Sequence, residues 1–135
     1  MKVVAAILVY KEKILAFKRP FSSSNKHLSS KYEFPGGKIK NNELAIHAIR
    51  RELNEELEID IENFKKYYET TFNYPEFKVD LTFYVSKIEN LNFNLNAHTE
   101  YKLMTIKNLK NLDWLEADYE IIKHLEENGI DEYLS

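Results

Sequence analysis

Apolar and polar positions along this chain follow two periods. Residues 3–9 are an unbroken apolar run rich in β-branched side chains, which predicts a buried strand. A polar turn, Lys11-Glu12-Lys13, leads into its hairpin partner at 14–18. Arg19-Pro20 ends that strand, because proline cannot donate to a ladder. The serine-rich stretch 21–30 reads as a loop long enough to be functional. Tyr32-Glu33-Phe34 is a short strand running into Pro35-Gly36-Gly37. The period then changes. Ile46, Ile49, Leu53 and Leu57 recur at three- and four-residue steps, which predicts a helix with one inward face and Asn41 or Asn42 as its cap. Strands are expected at 64–74 and 77–88. In the second, Val79, Leu81, Phe83 and Val85 alternate with polar or amphipathic side chains, a half-buried pattern. The asparagine-rich stretch 90–96 is a loop to which no chemistry is assigned, and 100–106 is a last strand. A second helix is expected at 112–127, with Leu115, Tyr119, Ile122 and Leu125 spaced for packing and Gly129 as its stop. The tail 129–135 is expected to fray. Mixed strands with two helices imply an α+β or layered α/β/α domain. No repeat, linker or second domain is visible, so 1–135 reads as a single domain.

Composition narrows the class. At 135 residues the chain can bury a real core, and 44% hydrophobic with 30% charged residues is an ordinary globular balance. A net charge of −3 argues against a duplex-nucleic-acid partner. The absence of cysteine excludes disulfides and thiolate metal sites. The apolar start is too short to span a bilayer and runs straight into Lys11-Glu12-Lys13, so neither a membrane segment nor a signal peptide is expected. The expectation is a cytoplasmic protein, monomeric or homodimeric.

The chemistry concentrates on the first helix. Glu52, Glu55 and Glu56 stand at i, i+3 and i+4, so their carboxylates rise from one patch. Exposed like charges at that spacing repel by a few tenths of a kcal/mol, roughly, and more as water is excluded. The cluster is tolerable if solvated, partly protonated or holding a cation, and a hard divalent ion such as Mg²⁺ prefers such oxygen ligands. An acidic helix face is otherwise simply a solvated one.

The full spacing decides between these. From Gly37, five residues lead to Glu43, seven more to Arg51-Glu52-Leu53, one to Glu55-Glu56 and one to Glu58-Ile59. This resembles the Nudix box, G-x5-E-x7-R-E-U-x-E-E-x-G-U, with U a bulky apolar residue. Every fixed position matches except the last glycine, here Glu58. A glycine there would end the helix in a left-handed conformation, which costs another residue about 1–2 kcal/mol. Tyr32-Glu33-Phe34-Pro35-Gly36-Gly37-Lys38-Ile39 and Leu112-Asp113-Trp114-Leu115-Glu116-Ala117-Asp118 are similar to runs of the MutT and CTP pyrophosphohydrolase branch of that family.

The resemblance implies a mixed sheet between helices and a Mg²⁺-dependent active site, with Mn²⁺ as an alternative ion. It assigns Glu52 and Glu56 to the metal, with Glu55 sharing it and the Gly37 carbonyl as a backbone ligand. Arg51 can reach Glu55 at i+4 and hold it, and Glu43 stabilises the loop before the helix. The general base is open. Glu100 is the nearest substitute for a family glutamate whose position falls at Ala97, and Glu52 or Glu55 could serve instead; His98 could also contact the site. Asp118 matches a residue beside the nucleobase, where a carboxyl reads a base edge as donor or acceptor. Lys38, Lys18 and Arg19 are candidates for the triphosphate, and Phe34 or Tyr32 for an aromatic wall. The implied activity splits a nucleoside triphosphate into the monophosphate and pyrophosphate, with oxidised dGTP, CTP or dCTP as candidates. The rivals are a hydrolase of another nucleoside diphosphate derivative such as ADP-ribose, a non-catalytic nucleotide sensor, and a structural domain with an acidic helix.

Overall fold

The computed structural model describes residues 1–134. Its β1 (Lys2–Tyr10) is the centre of a mixed seven-stranded sheet. β1 runs parallel to β6 (Lys78–Lys87) along its whole length, from Lys2 opposite Asp80 to Val9 opposite Lys87. Two partners share its other edge. β4 (Gly36–Lys38) pairs antiparallel with Val3–Ala5, and β2 (Lys13–Lys18) pairs with Val9 and Tyr10. β5 (Lys65–Asn73) lies outside β6, while β3 (Tyr32–Glu33) and β7 (Glu100–Met104) both pair with β2. Because β2 and β4 diverge from the same strand, the sheet opens between them, and the backbone of Gly36 and Gly37 lies beside that opening.

Side chains along a strand point alternately to the two faces, and β1 uses both. Val4, Ala6 and Leu8 pack with Ala48, Ile49, Leu53 and Leu57 of α1 (Ala45–Leu57). Ala5, Ile7 and Val9 pack with Ile121, Ile122 and Leu125 of α2 (Tyr119–Asn128) and with Trp114. This layered α/β/α arrangement is the expected fold class, and the apolar run of β1 exists because neither of its faces meets water. Truncating a fully buried leucine such as Leu53 costs about 2–5 kcal/mol in such a core.

The structure corrects four local expectations. Neither Asn41 nor Asn42 caps α1: Leu44 holds the cap position, and Asn42 sits at φ 62° inside the preceding turn. That turn is closed by Glu43, whose Oε1 accepts the Lys40 N–H at 2.9 Å. The second helix begins at Tyr119, seven residues later than expected. Residues 113–115 are extended because they serve β3: Tyr32 N–H donates to the Asp113 carbonyl, and Leu115 N–H donates to the Tyr32 carbonyl, after which Glu116–Asp118 forms a 3-10 turn leading into α2. This bridge buries Trp114 against Phe34, ring centroids 4.8 Å apart. With that start, Ile121 takes the inward position and Tyr119 is 46% exposed. The tail is packed as far as it is described: Ile130 is buried, Asp131–Tyr133 forms a 3-10 turn, and the Tyr133 ring meets Tyr67 edge-on. Ser135 lies outside the described residues.

The helix end keeps its left-handed geometry without the glycine. Glu58 stands at φ 56°, ψ 42°, and its N–H donates to the Asn54 carbonyl. Its Oε2 accepts Asn94 Nδ2 at 2.8 Å and Asn96 Nδ2 at 3.0 Å. The asparagine loop also satisfies the last helical carbonyls: Asn96 Nδ2 donates to Glu55 O, Asn96 N–H to Glu56 O and Asn94 N–H to Leu57 O. Glu58→Gly gives up the side-chain bonds but relieves the backbone, whereas Glu58→Ala gives up the bonds and keeps the strain. Chemical denaturation should therefore place the alanine variant about 1–2 kcal/mol below the glycine variant; equal stabilities would show that the backbone stores no strain here.

Candidate active site

The site is assembled where α1 crosses β4. The helix lies so close to β4 that a Cβ on Gly37 would fall on the Glu52 carboxylate, and β4 lies so close to β1 that one on Gly36 would strike the Val4 carbonyl. Gly37 therefore lets a carboxylate approach the backbone, and Gly36 lets the two strands close on each other. Arg51 fixes the arrangement. Its guanidinium grips Glu43 through Nε at 2.8 Å and Nη2 at 3.0 Å, donates to Glu52 Oε1 at 2.8 Å and to the Lys38 carbonyl at 3.0 Å. Glu55, the i+4 partner named from the sequence, is reached only at 3.5 Å. The fork binds most closely outside its own helix face, to a residue ahead of the helix, so the clamp ties loop, strand and helix together. The Arg51 hydrogen bond and then the Lys40 N–H hold the Glu43 carboxyl down at about 2, and Glu43 in turn raises Arg51.

The three box carboxylates differ in exposure. Side chains of Glu52 and Glu56 are each 14% exposed, while Glu55 is 55% exposed. Burial, then the charges of Glu33 and Glu52, push Glu56 up to about 9. Its Oε1 is buried and has no hydrogen-bond partner among the described residues. Opposite it, at 3.9 Å, stands His98 Nδ1, also buried and unpartnered. His98 Nε2 lies 2.8 Å from Glu33 Oε2, and Glu33 also accepts Arg19 Nη1 at 3.2 Å.

Beside this cluster is a cleft of about 380 Å³, within the range of small-ligand sites. Gly37, Arg19, Lys38, Phe34 and Asp118 all line it, together with Glu33, Tyr74 and Phe77, which the sequence reading did not single out. Asp118 is 5% exposed, and its burial, then the charge of Glu33, raises its carboxyl well above the ordinary range. Phe34 lines the cleft and also packs on Trp114 and Phe83. Other expected residues lie elsewhere. Glu100 begins β7 and faces Lys18 at 3.6 Å, with 46% of its side chain exposed; it is not among the cleft residues, because the β2–β7 pairing sets the two opposite each other. Lys18 also reaches the Tyr32 ring, so neither of these joins the cleft.

The NUDIX domain model matches residues 1–125. The chain belongs to the Nudix family. Over 120 residues it is 33% identical to the 8-oxo-dGTP diphosphatase of Buchnera aphidicola subsp. Acyrthosiphon pisum (strain APS), covering 87% of this chain and 94% of that one. Its fold is similar to that of the MutT protein from Methanosarcina mazei Go1, with a TM-score of 0.81 at 20% identity, covering 94% and 93% of the two chains. It is also similar to the Nudix domain of Shewanella oneidensis NrtR complexed with ADP ribose, with a TM-score of 0.74 at 15% identity, covering 94% and 86%. This Nudix chain is a pyrophosphohydrolase. Nudix hydrolases generally use a divalent cation. The residues here fit one: the donors are all oxygen, Glu56 Oε1 is buried with an open lone pair, and burial disfavours the Glu56 anion in the absence of a counter-charge. Among the described residues no three acidic, histidine or cysteine side chains are grouped so as to hold a metal ion by themselves, so an ion would complete its shell with backbone oxygen, water and ligand phosphate. No described helix is long and apolar enough to cross a membrane.

The raised carboxyl of Asp118 has a measurable consequence. Folding takes up a proton wherever the unfolded chain ionises this group and the folded chain does not, so its contribution weakens as pH rises above the ordinary carboxylate range. Asp118→Asn removes that dependence. Its melting temperature should exceed that of the parent at neutral pH, with the gap closing as pH falls below about 4; a pH-independent gap would mean the Asp118 carboxyl is not raised.

Proposed function

We propose that this protein hydrolyses a nucleoside triphosphate to the monophosphate and pyrophosphate with Mg²⁺, and that oxidised dGTP is its substrate, as the name of the Buchnera relative suggests. The observation that carries the reading is one cleft lined by both Asp118 and Gly37, with the Gly37 backbone against the Glu52 carboxylate of α1. In this reading the base enters between Phe34, Tyr74 and Phe77. A protonated Asp118 offers one donor and one acceptor to the base edge, as an amide would. Arg19 and Lys38 take the phosphates.

Glu52, Glu56 and the Gly37 carbonyl, with Glu55 nearby, would hold Mg²⁺, which would supply charge neutralisation and polarisation of the phosphoryl oxygens. The chain contributes position. Arg51 fixes Glu52 by a short charge-assisted bond, and the missing side chain at Gly37 lets that carboxylate lie against the β4 backbone. Glu55, more exposed and only loosely held by Arg51, is the carboxylate free to take a proton from the attacking water. The remaining rate comes from orientation and charge stabilisation.

Pyrophosphate release across canonical and oxidised nucleotides, with and without Mg²⁺, tests the reading. Metal-dependent release with oxidised dGTP ahead of dGTP is expected. Preference for CTP or dCTP would move the substrate, and Mg²⁺-dependent binding without release would make the domain a sensor. Glu56→Gln keeps shape and removes charge. It should lower kcat by about a hundredfold or more with folding retained; near-normal turnover would take Glu56 out of the metal site.

A further inference from the structure

One tyrosine of the cleft carries a hydroxyl whose proton has no acceptor. Tyr74 follows β5, and its backbone N–H donates to the Phe77 carbonyl at 2.8 Å, closing the turn to β6. The ring is held on two sides, with centroids 4.8 Å from Phe72 and 4.9 Å from Phe77. Tyr74 is 7% exposed and lines the cleft. Its phenol oxygen accepts the Ala117 N–H at 3.4 Å, a long bond. Among the described residues the hydroxyl makes no other hydrogen bond.

A buried tyrosine O–H usually finds an acceptor. The two tyrosines of β5 follow that rule: Tyr67 donates to the Gly129 carbonyl and Tyr68 to Glu120 Oε2, both at 2.7 Å. Tyr74 does not. Burial raises its phenol above the ordinary value, so the proton stays on the oxygen and the group is a donor. The anchor also fixes where that donor stands. Ala117 immediately precedes Asp118, and the buried Asp118 carboxyl likewise makes no hydrogen bond among the described residues. Two polar groups that line one cleft, close together and both unpartnered, are open to a ligand.

We infer that the hydroxyl of Tyr74 determines specificity by donating a hydrogen bond to a carbonyl oxygen of the nucleotide base. This rests on the proposed function for the kind of ligand. The edge of guanine that oxidation alters presents an acceptor, a donor and an acceptor in succession, two carbonyls flanking a ring N–H. A protonated Asp118 has one donor and one acceptor, enough for two of those three positions. The Tyr74 O–H is the free donor for the remaining carbonyl. Stacking on the aromatic walls accepts any base, but the hydroxyl does not. Adenine has no carbonyl and leaves the donor unpaired, which counts against that base.

Tyr74→Phe removes the hydroxyl and keeps the ring with its contacts to Phe72 and Phe77. Two measurements on the full-length protein read the effect. Calorimetric binding of nucleoside monophosphates needs no turnover. Affinity for oxidised dGMP should fall about tenfold, the scale of one lost hydrogen bond, while affinity for dAMP stays unchanged. In steady-state pyrophosphate release from oxidised dGTP, KM should rise about tenfold with kcat unchanged, because the contact is remote from the bond that breaks. A variant that binds oxidised dGMP as tightly as the parent overturns the inference. So does an equal loss with dAMP, which would mean that the hydroxyl only braces the turn at Ala117. The parent gives a reading of its own: oxidised dGMP should bind more tightly than dAMP, and equal affinities overturn the inference without any variant. A parent that shows this preference but releases no pyrophosphate defeats the proposed function alone, because the binding comparison still reports the hydroxyl.

Discussion

How near α1 can bring a carboxylate to the backbone of β4 controls everything at this site. Gly36 lies on the Val4 carbonyl, and Gly37 lies under Glu52. Any side chain at either position would push β4 off β1 or the helix off the strand, and the cluster would disperse. The closeness that results is electrostatically costly. Arg51 offsets it for Glu43, Glu52 and, more loosely, Glu55. It does not reach Glu56, which burial and two neighbouring carboxylates push up to about 9. A fold needs no such arrangement for stability. Strongly perturbed acids beside a cleft are the mark of a site that trades stability for chemistry.

Most of the architecture could be read from the two periods in the sequence. The 3.6-residue spacing of Ile49, Leu53 and Leu57 and the apolar run of β1 are direct consequences of burial on one face or on both. The misses share a cause, which is that tertiary contacts overrode local pattern. Residues 112–118 look helical by spacing, but β3 takes 113–115 as a bridge, Trp114 packs against Phe34, and only a 3-10 turn at Glu116–Asp118 precedes α2. Arg51 invites an i+4 pair with Glu55, yet its fork fits Glu43, which no helix rule would have paired with it. Glu33, Tyr74 and Phe77 left no separate signal: a strand residue facing a cleft carries the same alternation as one facing a core, and Tyr74 and Phe77 sit in the β5–β6 turn, where Tyr74 N–H donates to the Phe77 carbonyl. The E-F-P-G-G-K run contained Glu33, so the nearest clue lay inside a motif read for its glycines.

The replacement of the last box glycine shows how a local violation is accommodated. Glu58 takes the left-handed conformation that glycine would adopt freely, and two asparagine amides bind the carboxylate it brings. The same asparagines close off the carbonyls at the helix end. Stretch 90–96, which carries no chemistry of its own, is thus a collar around the C-terminus of α1. The collar determines where residues 97–99 run, and so where His98 enters the interior.

Asp118 and Glu56 are not electrostatically independent. Beyond burial, the charge of Glu33 raises both. A neutral Asp118 can present a donor and an acceptor together, whereas an ionised one can only accept. In the proposed function, what Asp118 can recognise therefore depends on a carboxylate whose other partners are Arg19 and His98. A cation neutralising Glu56, or a phosphate drawing Arg19 away from Glu33, changes the field at Asp118 as well. In that reading, recognition of the base and readiness of the helix carboxylates become one electrostatic problem, because the charge of Glu33 acts on both.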